Sequence, residues 1–135
     1  MSQKSLTGLR ILVVEDEPMI VMLLEDMLGD LGCAVVGPAY NADKALGLIQ
    51  SEKFDAAILD VNLGGQRTTP VAEALQSKDI PFFFATGYGN AGATGTFSQQ
   101  LVLTKPFTQS QLEAALQSLF AADNERPGLR ARAKS

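Results

Sequence analysis

There is no histidine anywhere in the 135 residues. That excludes Ser-His-Asp and Cys-His nucleophilic mechanisms and any metal site built on imidazole. The single cysteine, Cys33, allows no disulfide within the chain. A core role for it and a cytoplasmic location for the protein are therefore expected. No apolar run approaches the roughly 20 residues that a membrane-spanning helix needs. Residues 1–8 are polar overall and lack the apolar core of a secretory signal. Cations are in the minority, with 11 Lys and Arg against 15 Asp and Glu and a formal net charge of −4 at pH 7. This weighs against nucleic acid as a main partner, because such binding is driven by neutralising phosphates. No helix-turn-helix pattern, internal repeat or low-complexity segment is visible either.

What is present is a globular composition, 46% hydrophobic, at a length that fits one domain. A chain of this size buries about two thirds of its unfolded surface and can hold one core without disulfides or metals. The expected organisation is a short extension at 1–8, a folded domain at 9–121 and a disordered tail at 122–135. That tail carries Arg126, Arg130, Arg132 and Lys134. It is too short to be an output domain.

Strand and helix patterns alternate five times. Residues 11–14 are a continuous apolar, branched run of the kind found in a strand buried on both faces. Pro18 suits a first helical turn. Ile20, Leu23, Leu24, Met27, Leu28 and Leu31 follow at helical spacing, and Gly32 ends that helix. Residues 33–36 read as a second strand. Asn41 is placed to cap a second helix with Ala42, Ala45, Leu46 and Ile49 on its inner face. A third strand at 56–59 ends at Asp60. Thr69 and Pro70 open a third helix, which runs through Leu75. Residues 80–85 and 101–103 supply the fourth and fifth strands. Thr108 and Gln111 form a capping box for the last helix, whose inner face is Leu112, Ala115, Leu116, Leu119 and Phe120. The pattern implies an α/β fold, a doubly wound five-stranded parallel sheet with helices on both faces. Between Gly87 and Gln100 four glycines (Gly87, Gly89, Gly92, Gly95) each cost about 1 kcal/mol relative to alanine in a helix interior. A fourth helix there is expected to be short or disordered.

In such a sheet the ligand lies beyond the carboxyl ends of the strands. Strand one ends in Glu15-Asp16-Glu17, strand three in Asp60, strand four in Thr86-Gly87 and strand five in Thr104-Lys105-Pro106. Taken singly, each has an ordinary reading. Acidic residues before a helix complement its dipole, a threonine after a strand serves a turn, and a lone lysine is a solvated surface group. Gly64-Gly65 reads as a flexible turn. Jointly they bring Glu15, Asp16, Asp60, Thr86 and Lys105 to one edge. Each close carboxylate pair there costs about 4 kcal/mol at 4 Å with an effective dielectric of 20. Such a cluster calls for a cation, and oxygen ligands with open positions suit Mg²⁺ (or Mn²⁺). A fixed ammonium and a hydroxyl beside a carboxylate are parts for holding a phosphoryl group against a nucleophile. With no histidine in the chain, a phosphohistidine donor must belong to another molecule.

These segments resemble the receiver domain of bacterial two-component response regulators. The likeness rests on Ile11-Leu12-Val13-Val14-Glu15-Asp16-Glu17-Pro18, Ala57-Ile58-Leu59-Asp60-Val61-Asn62-Leu63, Phe84-Ala85-Thr86-Gly87 and Thr104-Lys105-Pro106-Phe107, within residues 8–121. It implies the flavodoxin-like receiver fold and a Mg²⁺ site formed by Glu15, Asp16, Asp60 and the main-chain carbonyl of Asn62. It also implies that Asp60 is the phosphoacceptor, with Thr86 and Lys105 turned toward the phosphoryl group. The implied partner is a sensor histidine kinase or a histidine phosphotransfer protein. The implied role is that of a stand-alone regulator or phosphate sink acting by protein contact, not that of an enzyme on small molecules. Phe84-Ala85-Thr86-Gly87 is similar to the motif of a receiver subgroup that pairs with HWE or HisKA2 kinases, although Gly89 stands where that motif has an aromatic. Val102 replaces the aromatic that most receivers carry three residues before the lysine, and Thr86 lies closer to Lys105 than a full fourth helix requires. Two other readings compete. One is a phospho-independent binding module with the same fold, against which the complete set of site residues speaks. The other is a haloacid-dehalogenase-like phosphohydrolase, which wants an acid where Asn62 stands.

Overall fold

The computed structural model describes residues 6–63, 66–87 and 101–125. In chain order the elements are β1 (Arg10–Val14), α1 (Pro18–Asp30), β2 (Ala34–Ala39), α2 (Ala42–Ser51), β3 (Ala56–Asp60), β4 (Asn62–Leu63), β5 (Gln66–Arg67), α3 (Thr69–Ser77), β6 (Phe82–Thr86), β7 (Val102–Thr104) and α4 (Gln109–Glu125). Five strands form one sheet in the order β2-β1-β3-β6-β7, every neighbouring pair parallel. This is the flavodoxin-like winding, in which the chain turns outward in opposite directions from β1 and β3. The fourth helix expected between Gly87 and Gln100 falls on residues 88–100, outside the described residues. So do the Gly64-Gly65 turn and residues 126–135.

Side-chain parity divides the core in two. Leu12, Val14, Ala57, Leu59, Phe82 and Phe84 face α2 and α3, where they meet Ala45, Ile49, Val71, Ala72 and Leu75. Ile11, Val13, Ala56, Ile58, Phe83 and Ala85 face α1 and α4, where they meet Leu24, Met27, Leu28, Leu112, Ala115 and Leu116. The continuous apolar runs of β1, β3 and β6 follow from this, since every position in a doubly covered strand is buried. Both caps expected from sequence form. The Asn41 side chain accepts from the Lys44 N–H at 2.8 Å. Thr108 and Gln111 exchange bonds of 2.8 and 3.1 Å.

Several local readings need correction. The start of the chain is not all extension: Leu6 is buried in the α1/α4 core, and Gly8 N–H donates to the Gly32 carbonyl at 2.8 Å. The last helix continues to Glu125, past the expected boundary at 121. The second strand runs from Ala34 to Ala39, through Gly37-Pro38, where Gly37 adopts φ +95°. Residues 62–63 and 66–67 pair as a small antiparallel ladder, Asn62 with Arg67 and Leu63 with Gln66. On α1 the buried stripe is Val21, Leu24, Met27 and Leu28, whereas Leu23 is 36% exposed. Residues 19–24 are all apolar, so the sequence leaves the phase of the first turns open, and the sheet decides it.

The corrected phase has a direct test. Leu24→Ala should cost about 2–5 kcal/mol, as for a buried leucine. Leu23→Ala should cost under about 1 kcal/mol. Urea unfolding of both variants measures this, and equal losses would mean that α1 is rotated from this position.

Candidate functional site

The same parity carries beyond the strand ends. Glu15 follows Val14 on β1, and Asp60 follows Leu59 on β3. Val14 and Leu59 are register partners, so the two carboxylates come side by side on the α1/α4 face. A main-chain bond fixes Glu15 there, from its N–H to the Ala39 carbonyl at 3.0 Å. β2 reaches that point through an irregularity in its pairing with β1 between Leu12 and Val14. Gly37 supplies the turn. A Cβ at that position would lie 2.9 Å from Ala39 N, and φ +95° is disfavoured for other residues. Lys105 is fixed from the other side of the site, where its N–H donates to the Thr86 carbonyl at 2.7 Å.

The side chains then meet. One carboxylate oxygen each from Glu15, Asp16 and Asp60 lies within 4.8 Å of the others. Glu15 and Asp60 are buried, at 1% and 6% exposure, while Asp16 is partly exposed. Lys105 Nζ donates to Glu15 Oε1 at 3.1 Å and lies 3.5 Å from Asp60 Oδ1. Thr86 is buried at the end of β6, with its hydroxyl donating to the Gly87 carbonyl at 3.0 Å. The five residues chosen from the strand ends are therefore assembled at one sheet edge. Asn62 opens β4, two residues beyond Asp60. Lys105 is not the solvated lysine of its ordinary reading, since its side chain is only 10% exposed.

Sequence reasoning passed over the role of Glu17. Its backbone N–H donates to Glu15 Oε2 at 3.2 Å. Its side chain makes no capping bond at the start of α1, and its Oε1 lies 3.9 Å from Lys105 Nζ. The sequence signal was a third acid after β1, which has a sufficient ordinary explanation in the helix dipole.

The electrostatics follow from burial. Loss of water and the neighbouring Asp60 charge push the Glu15 carboxyl up to about 7, against the pull of Lys105 and of the Glu17 N–H. Burial draws the Lys105 ammonium down, but Asp60 and Glu15 outweigh it and hold the group above the ordinary lysine value. One ammonium is thus too little for these acids, and the site retains a proton near neutrality when nothing else is bound. Hard oxygen donors, converging and under-neutralised, fit a divalent cation of the Mg²⁺ or Mn²⁺ type.

Fold and site are those of a receiver domain, and the chain belongs to the response regulator receiver domain family, whose model matches residues 11–117. Among individual relatives, it is 31% identical over 121 residues to the phyllosphere-induced regulator PhyR of Methylorubrum extorquens, covering 86% of this chain and 45% of PhyR. The chain thus spans about half the length of that curated relative. The solution structure of SdrG from Sphingomonas melonis Fr1 superposes with a TM-score of 0.76 at 47% identity, covering 87% of this chain and 98% of SdrG. The BeF3-activated conformation of SdrG superposes with a TM-score of 0.72 at 46% identity, covering 84% of this chain and 98% of that one. No helix among the described residues is long and apolar enough to cross a membrane.

The raised Glu15 value fixes the sign of a pH effect. The group titrates near 4.5 when unfolded and near 7 when folded, so the fold prefers its neutral form. In the metal-free protein this residue therefore costs increasing stability as pH rises from about 4.5 through about 7. Glu15→Gln should remove that dependence, and its urea midpoint in chelator should exceed the wild-type midpoint by more at pH 8 than at pH 5. An unchanged difference across that range would show that Glu15 is ionised throughout.

Proposed function

We propose that this receiver accepts a phosphoryl group onto Asp60 from a histidine of a partner protein. The observation that carries the reading is the position of the Asp60 carboxylate, at the end of β3 between an acidic pair and the Lys105 ammonium. In the transfer an Asp60 carboxylate oxygen forms the new O–P bond. The P–N bond of the donor's phosphohistidine breaks, and its electron pair leaves with the imidazole. Glu15, Asp16, Asp60 and the Asn62 main-chain carbonyl would hold Mg²⁺ or Mn²⁺, which when bound neutralises oxygens of the transferring group. Thr86 contributes a hydroxyl donor for the phosphoryl group and Lys105 a positive charge. The protein turns over no small molecule in this reading. It catalyses its own phosphorylation and dephosphorylation, and the acyl phosphate stores the signal.

The donor is a sensor histidine kinase, of the HWE or HisKA2 type suggested by Phe84-Ala85-Thr86-Gly87, or a histidine phosphotransfer protein. The protein acts by contact with other proteins, as a stand-alone regulator or phosphate sink in the cytoplasm. Likeness to SdrG, matched over 98% of its length, supports this. The existence of a BeF3-activated SdrG conformation makes beryllofluoride a sensible probe here.

Intact mass after incubation with a small phosphodonor and Mg²⁺ tests the assignment. One phosphoryl adduct is expected on the wild-type protein and none on Asp60→Asn. Asp16→Asn should need more Mg²⁺ for the same yield, since it loses one ligand charge. An adduct surviving Asp60→Asn at full yield would falsify the role given to Asp60.

A further inference from the structure

Lys105 has three carboxylate neighbours: Glu15 at 3.1 Å, Asp60 at 3.5 Å and Glu17 at 3.9 Å. Two of them belong to the acidic cluster suited to a divalent cation, and the third does not. A divalent cation on Glu15 and Asp60 would face an ammonium that already lies against both carboxylates, 3.1 Å from Glu15 Oε1 and 3.5 Å from Asp60 Oδ1. Like charges at such separations repel strongly in a partly buried site. The lysine backbone cannot retreat, because its N–H is bonded to the Thr86 carbonyl at 2.7 Å. Only the side chain can turn away, and its charge needs a new partner outside the cluster.

Glu17 has the properties that such a partner needs. Its side chain is a carboxylate 66% exposed to solvent, unlike those of Glu15 and Asp60, which are 2% and 8% exposed. Its backbone is anchored twice, by its N–H to Glu15 Oε2 and by its carbonyl, which accepts from Val21 N–H at 3.0 Å. Its side chain, by contrast, is not committed to capping α1. We propose that Glu17 is a positioning residue for Lys105: it takes over the ammonium when a divalent cation engages Glu15 and Asp60, and so sets how readily the cation enters. The inference rests on reading the acidic cluster as the divalent-cation site. Glu17 itself touches neither the cation nor the reacting atoms.

A double-mutant cycle on Mg²⁺ affinity separates this from simple attraction of the cation by a nearby acid. Mg²⁺ dissociation constants are measured by calorimetry for the full chain, for Glu17→Gln, for Lys105→Met and for the double variant. Glu17→Gln should weaken binding roughly threefold or more in the presence of Lys105, and by less than about twofold in the Lys105→Met background. Glu17→Asp, which keeps the charge, should recover part of the loss. The second measurement needs no lysine variant. The Glu17 side-chain carboxyl ¹³C shift in the wild-type protein should move on saturation with Mg²⁺, as the ammonium closes on it. Equal weakening in both backgrounds would mean that Glu17 acts on the cation directly and would overturn the proposal, as would an unmoved Glu17 carboxyl. Wild-type protein that binds no Mg²⁺ at all would overturn the metal-site reading, and this inference with it. Binding without coupling would overturn the inference alone.

Discussion

Two carboxylates, Glu15 and Asp60, lie almost wholly out of water at the ends of adjacent strands, and one ammonium from a third position keeps them there. Everything else near the site serves that arrangement. Burying an acid is costly unless its charge is met, and Lys105 meets two at once, at 3.1 and 3.5 Å. The parallel β1–β3 register sets the two acids side by side. The β6–β7 pairing then delivers the lysine, because Thr86 opposite Thr104 places Lys105 one residue beyond the sheet edge. Lys105 thus holds together a site whose acids would otherwise drive their strand ends apart. Lys105 does not offset the whole cost, and burial together with the Asp60 charge still raises the Glu15 carboxyl.

Much of this is legible in the sequence. Residues 11–14, 56–59 and 80–85 read as strands because a doubly covered strand admits no polar position, and their ends carry the chemistry because the carboxyl edge is the open one. The parts that escaped reading are those in which tertiary context outweighs local pattern. Gly37-Pro38 lies beyond the second strand as read at 33–36. Here it lies on an edge strand, where proline forfeits no ladder bond on its open side, and the irregular pairing lets Ala39 bind the Glu15 backbone. Leu6 looked like part of a polar extension, yet one leucine among polar neighbours is enough to close the end of the α1/α4 core. Residues 19–24 gave no unique helical phase because all six are apolar. Glu17 had a sufficient local explanation, and only the distance to Lys105 supplies another.

Val102 stands where the receiver resemblance leads one to expect an aromatic. It is half-buried and packs against the α2/α3 core, alongside Phe82 and Phe84, which meet edge to face with centroids 5.6 Å apart. An aromatic ring at this position could swing between a buried and an exposed rotamer and report on Thr86 across the strand. A β-branched side chain of three carbons has one stiff torsion and no ring to swing. Val102 faces the core as a strand residue of ordinary size, so the β7 backbone carries no aromatic switch of its own.

The charge balance then limits what can carry a signal. The cluster sets three carboxyl groups against one ammonium, formally minus two, and the raised Glu15 carboxyl brings that sum closer to minus one near neutrality. On the proposed chemistry, a phosphoryl group on Asp60 replaces one negative charge by about two. The added charge and its oxygens appear beside the β6 end, within the reach assigned to Thr86 and Lys105. Thr86 can respond only by giving up its bond to the Gly87 carbonyl, because a hydroxyl has a single proton to donate. Lys105 can respond only through its side chain, by shifting its ammonium from the carboxylates toward the phosphoryl oxygens, because its backbone is held to Thr86. Both responses converge on the Thr86–Gly87 junction and leave the interior of the sheet unchanged, where strands buried on both faces have no room to adjust. On the proposed chemistry, the groups positioned to respond first are therefore Thr86 and Lys105, at the carboxyl edge of the sheet.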